Sequence, residues 1–156
     1  MNIIEFNGSS HAQGMCDKEF IGKVISFLDR YEQIYIGKKI KPYGIGSGQF
    51  PFLMRLYHGD GINQESLSDY LKIDKGTTIW AIKKLVDEGY VFRKRDEKDR
   101  RAYRIFLCEK GKKLEPDMKK IASEWEEILF FGFDDSQRRE IMNSLGIMFE
   151  NVSKIM

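Results

Sequence analysis

The chain is poor in the residues that most chemistry needs. Its 156 residues hold only two cysteines, Cys16 and Cys108, and two histidines, His11 and His58. Two cysteines make neither a disulfide framework nor a zinc site, and a reducing cytoplasmic compartment is the expectation. His11 lies near the start and His58 beside the turn Gly59-Asp60-Gly61. Neither has a partnered nucleophile or a metal-spaced neighbour, so an enzyme is not expected, and no catalytic residue, metal or cofactor either. The stretch GIGSGQ at 44–49 lacks the final glycine of a dinucleotide-binding turn and follows a helical pattern, so it is set aside. Net charge is almost absent too, at +2 for the whole chain, so any contact with a polyanion must be local. No apolar run approaches the roughly 20 residues of a membrane helix. The longest, ILFFGF at 128–133, is far too short, and no membrane partner is expected. The opening MNIIEFNGSSHAQGMC has no basic segment followed by an apolar run, so no secretory signal is read. Residues 1–16 read as a disordered native arm or an added leader, outside the fold. Internal repeats and low-complexity tracts are absent as well.

What is present is a globular composition, 42% hydrophobic and 32% charged. Three segments carry the apolar stripe of an amphipathic helix. Phe20, Val24, Phe27, Leu28, Tyr31, Ile34 and Tyr35 form the first; Leu114, Met118, Ile121, Ala122, Trp125, Ile128 and Leu129 the second; Ile141, Leu145, Met148, Phe149, Val152 and Ile155 the third. They predict helices over 17–40, 110–131 and 135–155, the last capped by Asp134 or Asp135. The first is apolar on more than one side, since Ile21, Ile25, Ile36 and Ile40 fall off the stripe. A second subunit would cover the surplus. Between these lie shorter signals. QFPFLMRLYH predicts a short helix with Pro51 in its first turn. Asn63 caps a second, QESLSDYLKI, and Asp74 a third, KGTTIWAIKKLVDE, which stops at Gly89. YVFRKR and YRIFL are β-type runs around a charged turn.

Two short helices, a longer one and a hairpin describe a winged helix-turn-helix, whose third helix enters a major groove. Charge supports it: Arg93 to Arg104 holds seven basic and three acidic residues, a local net of +4. Arginines at a hairpin tip suit a minor groove. Asp96, Glu97 and Asp99 between them can hold the guanidinium forks and favour the tight turn. A solvated hairpin that binds nothing is the plainer alternative.

The stretch IDKGTTIWAIKKLVDEGYVFRKRDEKDRRAYRIFLCEKG resembles the core of the MarR family of winged-helix transcription regulators. The family's wing signature, D-x-x-D-R-R, then a strand and L-T-x-x-G, corresponds to Asp96, Asp99, Arg100, Arg101, Leu107 and Gly111. Upstream, Gln49, Phe50 and Leu53 match its Q-F-x-x-L segment. The resemblance covers about 17–156. It implies a mainly α fold with a small β-hairpin wing: a winged helix-turn-helix DNA-binding lobe at 46–109, and a helical dimerisation region at 17–45 and 110–156. It also implies a homodimer on a pseudo-palindromic double-stranded DNA operator, most often as a repressor.

Two departures stand out. Cys108 replaces the usual threonine and is a poor helix cap, which weakens the start of the next helix. Ile79 and Trp80 stand where relatives often carry threonine and arginine. The expected DNA-contact set is Lys75, Thr77, Thr78, Trp80, Lys83, Lys84, Arg100 and Arg101, although helical spacing turns Thr78 inward with Ile82, Leu85 and Val86. The lysines would hold phosphates. Arg101, with Arg100 as alternate, would enter the minor groove, oriented by Asp99. Trp80 and Ile79 either meet thymine methyls, or Trp80 folds back onto the wing as packing. Relatives commonly respond to small aromatic or phenolic acids, and Arg30, Tyr35, Tyr43 and Arg55 are candidates for such a pocket; the alternative is that these tyrosines are core or dimer contacts. A thiol switch at Cys16 and a winged helix used for protein–protein contact are the remaining alternatives.

Overall fold

The structure is a computed structural model and describes residues 20–97 and 99–155. The arm at 1–16, Cys16 and the predicted start of the first helix lie outside the described residues. The elements are α1 (Ile21–Ile40), α2 (Phe50–Tyr57), β1 (Ile62–Asn63), α3 (Gln64–Leu71), α4 (Lys75–Asp87), β2 (Val91–Arg95), β3 (Tyr103–Leu107), α5 (Glu109–Leu129) and α6 (Asp135–Ser153). Two short 3-10 turns, Lys41–Tyr43 and Ser47–Gln49, join α1 to α2. This is the mainly helical fold with a small antiparallel sheet that the pattern implies.

Local chemistry accounts for the ends of the middle helices. Pro51 sits in the first turn of α2, where its missing N–H costs nothing. The Asn63 side chain accepts hydrogen bonds from Glu65 N at 2.8 Å and Ser66 N at 3.4 Å, starting α3. Asp74 accepts from Thr77 N at 2.8 Å and starts α4. α4 stops where Gly89 takes φ 74°, and Tyr90 N bonds back to Leu85 O at 2.9 Å. Between α3 and α4 the left-handed position is filled by Lys72 at φ 55°, a strained choice for a residue with a Cβ.

Sequence alternation predicts the β2–β3 hairpin but not β1. The sheet order is β1-β3-β2, antiparallel throughout, with Ile62 opposite Ile105 and Arg93 also opposite Ile105. β1 is held from outside its own two residues. Gly61 N donates to Ile105 O at 2.7 Å, and Leu107 N donates to Asp60 Oδ2 at 2.9 Å.

The chain divides into two compact units, with the boundary inside α5 after Ile121. The first holds the core. Phe52, Leu53, Leu56, Leu67, Ile82, Leu85 and Ile105 are essentially inaccessible, at 0–1% exposure. Of α1, only Ile36 and Ile40 are buried there. Ile21, Ile25, Leu28, Tyr31 and Ile34 are exposed. The expected surplus therefore holds at Ile21 and Ile25, while Ile36 and Ile40, expected to need a second subunit's cover, pack within this one, and it is the stripe residues Leu28, Tyr31 and Ile34 that lie open. The weak start expected for α5 does not materialise. Cys108 offers no side-chain cap, yet its N–H donates to Tyr90 O at 2.9 Å and its carbonyl accepts from Lys112 N at 3.0 Å. Lys110 Nζ adds a bond to Glu88 O at 2.6 Å.

The second unit starts at Ala122 and holds the end of α5 and all of α6. Asp134 caps α6 by accepting from Gln137 N at 2.9 Å, and Gln137 returns the bond. No described residue of α6 is buried. Met142, Leu145, Met148, Phe149 and Val152 are all exposed along it.

Candidate nucleic-acid interface

The cap at Asp74 sets the outward face of α4. Its carboxylate takes both the Thr77 N–H and, at 2.6 Å, the Thr77 hydroxyl. The Thr77 hydroxyl bond, then the backbone bond, holds the Asp74 carboxyl below its ordinary range. One turn on, Ala81, Ile82 and Leu85 face the core, and Thr78 joins them at 1% exposure. Thr78 therefore does not reach the outward surface of α4, against its place in the expected DNA-contact set. The 3.6-residue period that buries Ile82 and Leu85 buries it as well.

Lys75, Thr77, Ile79, Trp80, Lys83 and Lys84 are all exposed. Trp80 keeps 72% of its surface open, which excludes the fold-back onto the wing. Its one ring contact among the described residues is the Lys83 ammonium, 5.8 Å from the ring centroid. Each lysine of α4 faces an acid. Lys75 pairs with Glu65 of α3, Lys83 with Asp87 at 3.5 Å, and Lys84 with Glu88 at 2.7 Å. The Glu65 carboxylate raises the Lys75 ammonium, and the Lys84 ammonium lowers Glu88. The Lys75 and Lys83 pairs are largely solvated and the Lys84 pair is partly so, so each contributes little and a phosphate can displace the acid.

In the wing the three acids have three different tasks. Asp96 is 6% exposed and accepts from Arg104 Nε at 2.6 Å, while Arg104 also donates to Gly61 O at 2.9 Å. Arg104 thereby ties the hairpin to the backbone just before β1 and is not a free cation. Glu97 pairs with Lys94 at 3.1 Å. Asp99 accepts from the backbone N–H of Arg101 at 2.9 Å, and its own carbonyl accepts from Ala102 N at 2.9 Å. The expected fork between Asp99 and the Arg101 guanidinium is not formed. Asp99 shapes the turn that carries Arg101 instead. Arg95 donates to Arg100 O at 3.0 Å and lies 5.6 Å from the Tyr103 ring. Arg93 reaches α4 at Ile79 O, 3.4 Å away, and so links wing to helix. The Arg100 and Arg101 side chains are exposed, with no hydrogen bond or ion pair among the described residues.

Each of the four candidate pocket residues has contacts of its own. The Arg30 guanidinium lies 5.7 Å from the Phe27 ring, and the Tyr35 ring sits 5.4 Å from Lys39 Nζ. Tyr43 donates to Asp117 Oδ2 at 3.0 Å and accepts from Tyr90 OH at its carbonyl at 2.8 Å. The Asp117 hydrogen bond raises the Tyr43 phenol. Arg55 stacks 4.8 Å above Tyr70 and donates to Gly59 O. A cleft of about 360 Å³ between α1 and the α2–α3 region is lined by Asp29 and Glu32, which suits an aromatic carboxylate poorly. Its lining includes none of the four.

A helix-turn-helix whose wing tip carries two exposed arginines, Arg100 and Arg101, beside an exposed helix face defines a DNA-binding winged-helix protein. Comparison with known proteins agrees. The MarR family profile matches residues 45–103. An HTH-type transcriptional regulator of Bacillus subtilis (strain 168), YybA, is 30% identical over 134 residues, covering 86% of this chain and 87% of its own. The crystal structure of a MarR transcriptional regulator from Methanosarcina mazei Go1 is 84% identical, with a TM-score of 0.86, covering 89% of this chain and 100% of that one. A MarR family protein from Listeria monocytogenes, solved in complex with 26mer DNA, is 28% identical with a TM-score of 0.74, covering 88% and 91%. The chain belongs to the MarR family: it is a DNA-binding transcription regulator and not an enzyme.

Among the described residues, no helix is long and apolar enough to cross a membrane. No group of three or more histidine, cysteine or acidic side chains there is placed to hold a metal ion.

Proposed function

We propose that the chain acts as a homodimer that represses transcription from a pseudo-palindromic operator. Each subunit lays α4 in the major groove, with Thr77 and Trp80 toward the bases and Lys75, Lys83 and Lys84 toward the phosphates. Arg101, with Arg100 beside it, enters the minor groove. The two half-sites lie about one helical turn, ~34 Å, apart.

The observation that carries this reading is the pair of exposed guanidiniums, Arg100 and Arg101, at the tip of a hairpin in which Asp96 holds Arg104 and Glu97 holds Lys94. The Listeria relative, solved in complex with a DNA 26mer, supports DNA as the partner. The exposed apolar residues of α1, and separately those of α6, support a second subunit as their cover.

The test is selection from a random duplex library at two salt concentrations, with the mass of the protein measured in solution. A palindrome enriched with a steep salt slope is the expected result. Arg101→Ala then weakens that duplex by roughly tenfold or more without changing the dimer mass. Unchanged affinity in that variant removes the wing from the mechanism, and a monomer mass removes the dimer.

A further inference from the structure

The groove-facing surface of α4 is unusual in what it leaves uncommitted. Its three lysines each have an acidic partner, and the Thr77 hydroxyl proton is directed at Asp74. What remains is apolar: the Trp80 indole at 72% exposure and the Ile79 side chain at 48%. One turn before Trp80 stands Gly76, with no side chain to shield that face. An exposed tryptophan on a short helix costs solvation and has no packing role in this subunit. Its chemistry also limits what it can read. Indole offers one N–H donor and no acceptor, so it cannot make the bidentate contact by which arginine reads guanine. It can cover a methyl group, and in the major groove the C5-methyl of thymine is the one apolar mark among the four bases.

We infer that Trp80, with Ile79 beside it, is the specificity-determining residue, and that it selects a pyrimidine C5-methyl group in each half-site. This rests on the reading that α4 enters the major groove. The division of labour follows from the charges. The wing arginines and the exchangeable lysines supply affinity for the backbone, while the indole supplies the choice of base.

The experiment uses the full chain and the duplex enriched from the random library. Every thymine of that duplex is replaced by deoxyuridine, which pairs identically and lacks only the methyl, and thymines are then restored one symmetric pair at a time. A buried methyl is worth ~0.8 kcal/mol, about fourfold in affinity, so a symmetric pair gives about fifteenfold. The wild type is expected to lose that factor on the uracil duplex and to regain it at one thymine per half-site. Trp80→Ala binds both duplexes equally, and Trp80→Phe keeps part of the preference. Because Trp80 is so exposed, neither variant disturbs the core. Equal wild-type affinity for the two duplexes overturns the inference. So does a uracil penalty that Trp80→Ala retains, since another group then reads the methyl. If no duplex is enriched at all, the operator reading itself falls and takes this one with it.

Discussion

Adding one methyl group at Gly111 tests how the start of α5 is seated against Tyr90. Gly111 lies in the first turn of α5, and a Cβ placed there would stand 2.1 Å from the backbone oxygen of Tyr90. It would also lie 3.3 Å from Leu107 Cδ2. Tyr90 is 3% exposed, and its carbonyl accepts the Cys108 N–H, so this oxygen cannot swing aside as a flexible side chain would. Helix start and strand must separate by about 1 Å to restore ordinary contact. On propensity alone, glycine to alanine inside a helix gains about 1 kcal/mol. Overpacking of this kind costs about 1–3 kcal/mol in adaptable cores, and more against fixed backbone. The balance for Gly111→Ala is a loss of about 2 kcal/mol, or roughly 4–8 °C in Tm for a chain of this size. Gly37→Ala is the matched control: it sits inside α1, and its Cβ would meet nothing closer than 3.8 Å. That variant gains about 0.5–1 kcal/mol. The assay is thermal and urea unfolding of both variants at one fixed protein concentration, since association shifts apparent stability. A Gly111→Ala protein as stable as Gly37→Ala would refute the claim that the Tyr90 carbonyl fixes the seat of α5.

Two further outcomes concern the helix-turn-helix itself. Asp74→Ala removes the cap of α4 and lowers Tm by about 2–4 °C at neutral pH. Since the folded-state carboxyl titrates below its ordinary value of 3.8, its contribution is fully present above that value. It fades as pH falls through the lower folded value. The gap between wild type and variant therefore closes in acid, and a gap that widens below pH 4 contradicts the Thr77 hydrogen bonds as its source. Lys72→Gly relieves the left-handed φ of 55° and raises stability by about 0.5–1 kcal/mol; a lower urea midpoint would show that Lys72 makes a contact worth more than its strain.

Much of the local structure is legible in the sequence because its signals are short-range. Asn63, Asp74 and Asp134 each cap a helix through atoms two or three residues away, so no distant neighbour has to be known. The wing turn is local in the same way. Alternation in YVFRKR and YRIFL carries the hairpin, and the inward turn of Thr78 follows from its spacing to Ile82 and Leu85. The apolar excess at Ile21 and Ile25 of α1 is also visible from residue order alone, whereas the burial of Ile36 and Ile40 is not.

What only tertiary structure decided is who pairs with whom across the chain. β1 has two residues, too few for any period, and exists because Asp60 and Gly61 present partners to β3. Lys75 meets Glu65 because α3 and α4 pack together, and that pairing turns a presumed free cation into an exchangeable one. Asp96 became the buried anchor of Arg104, while Asp99, nearer to Arg101 in sequence, spends its carboxylate on the backbone. The exposure of Trp80 likewise depended on whether the wing would cover it. Caps and turns are set by bonds within one turn of chain, so residue order suffices for them. Charge pairing and exposure depend on which surfaces the whole fold brings together, and no local pattern encodes that.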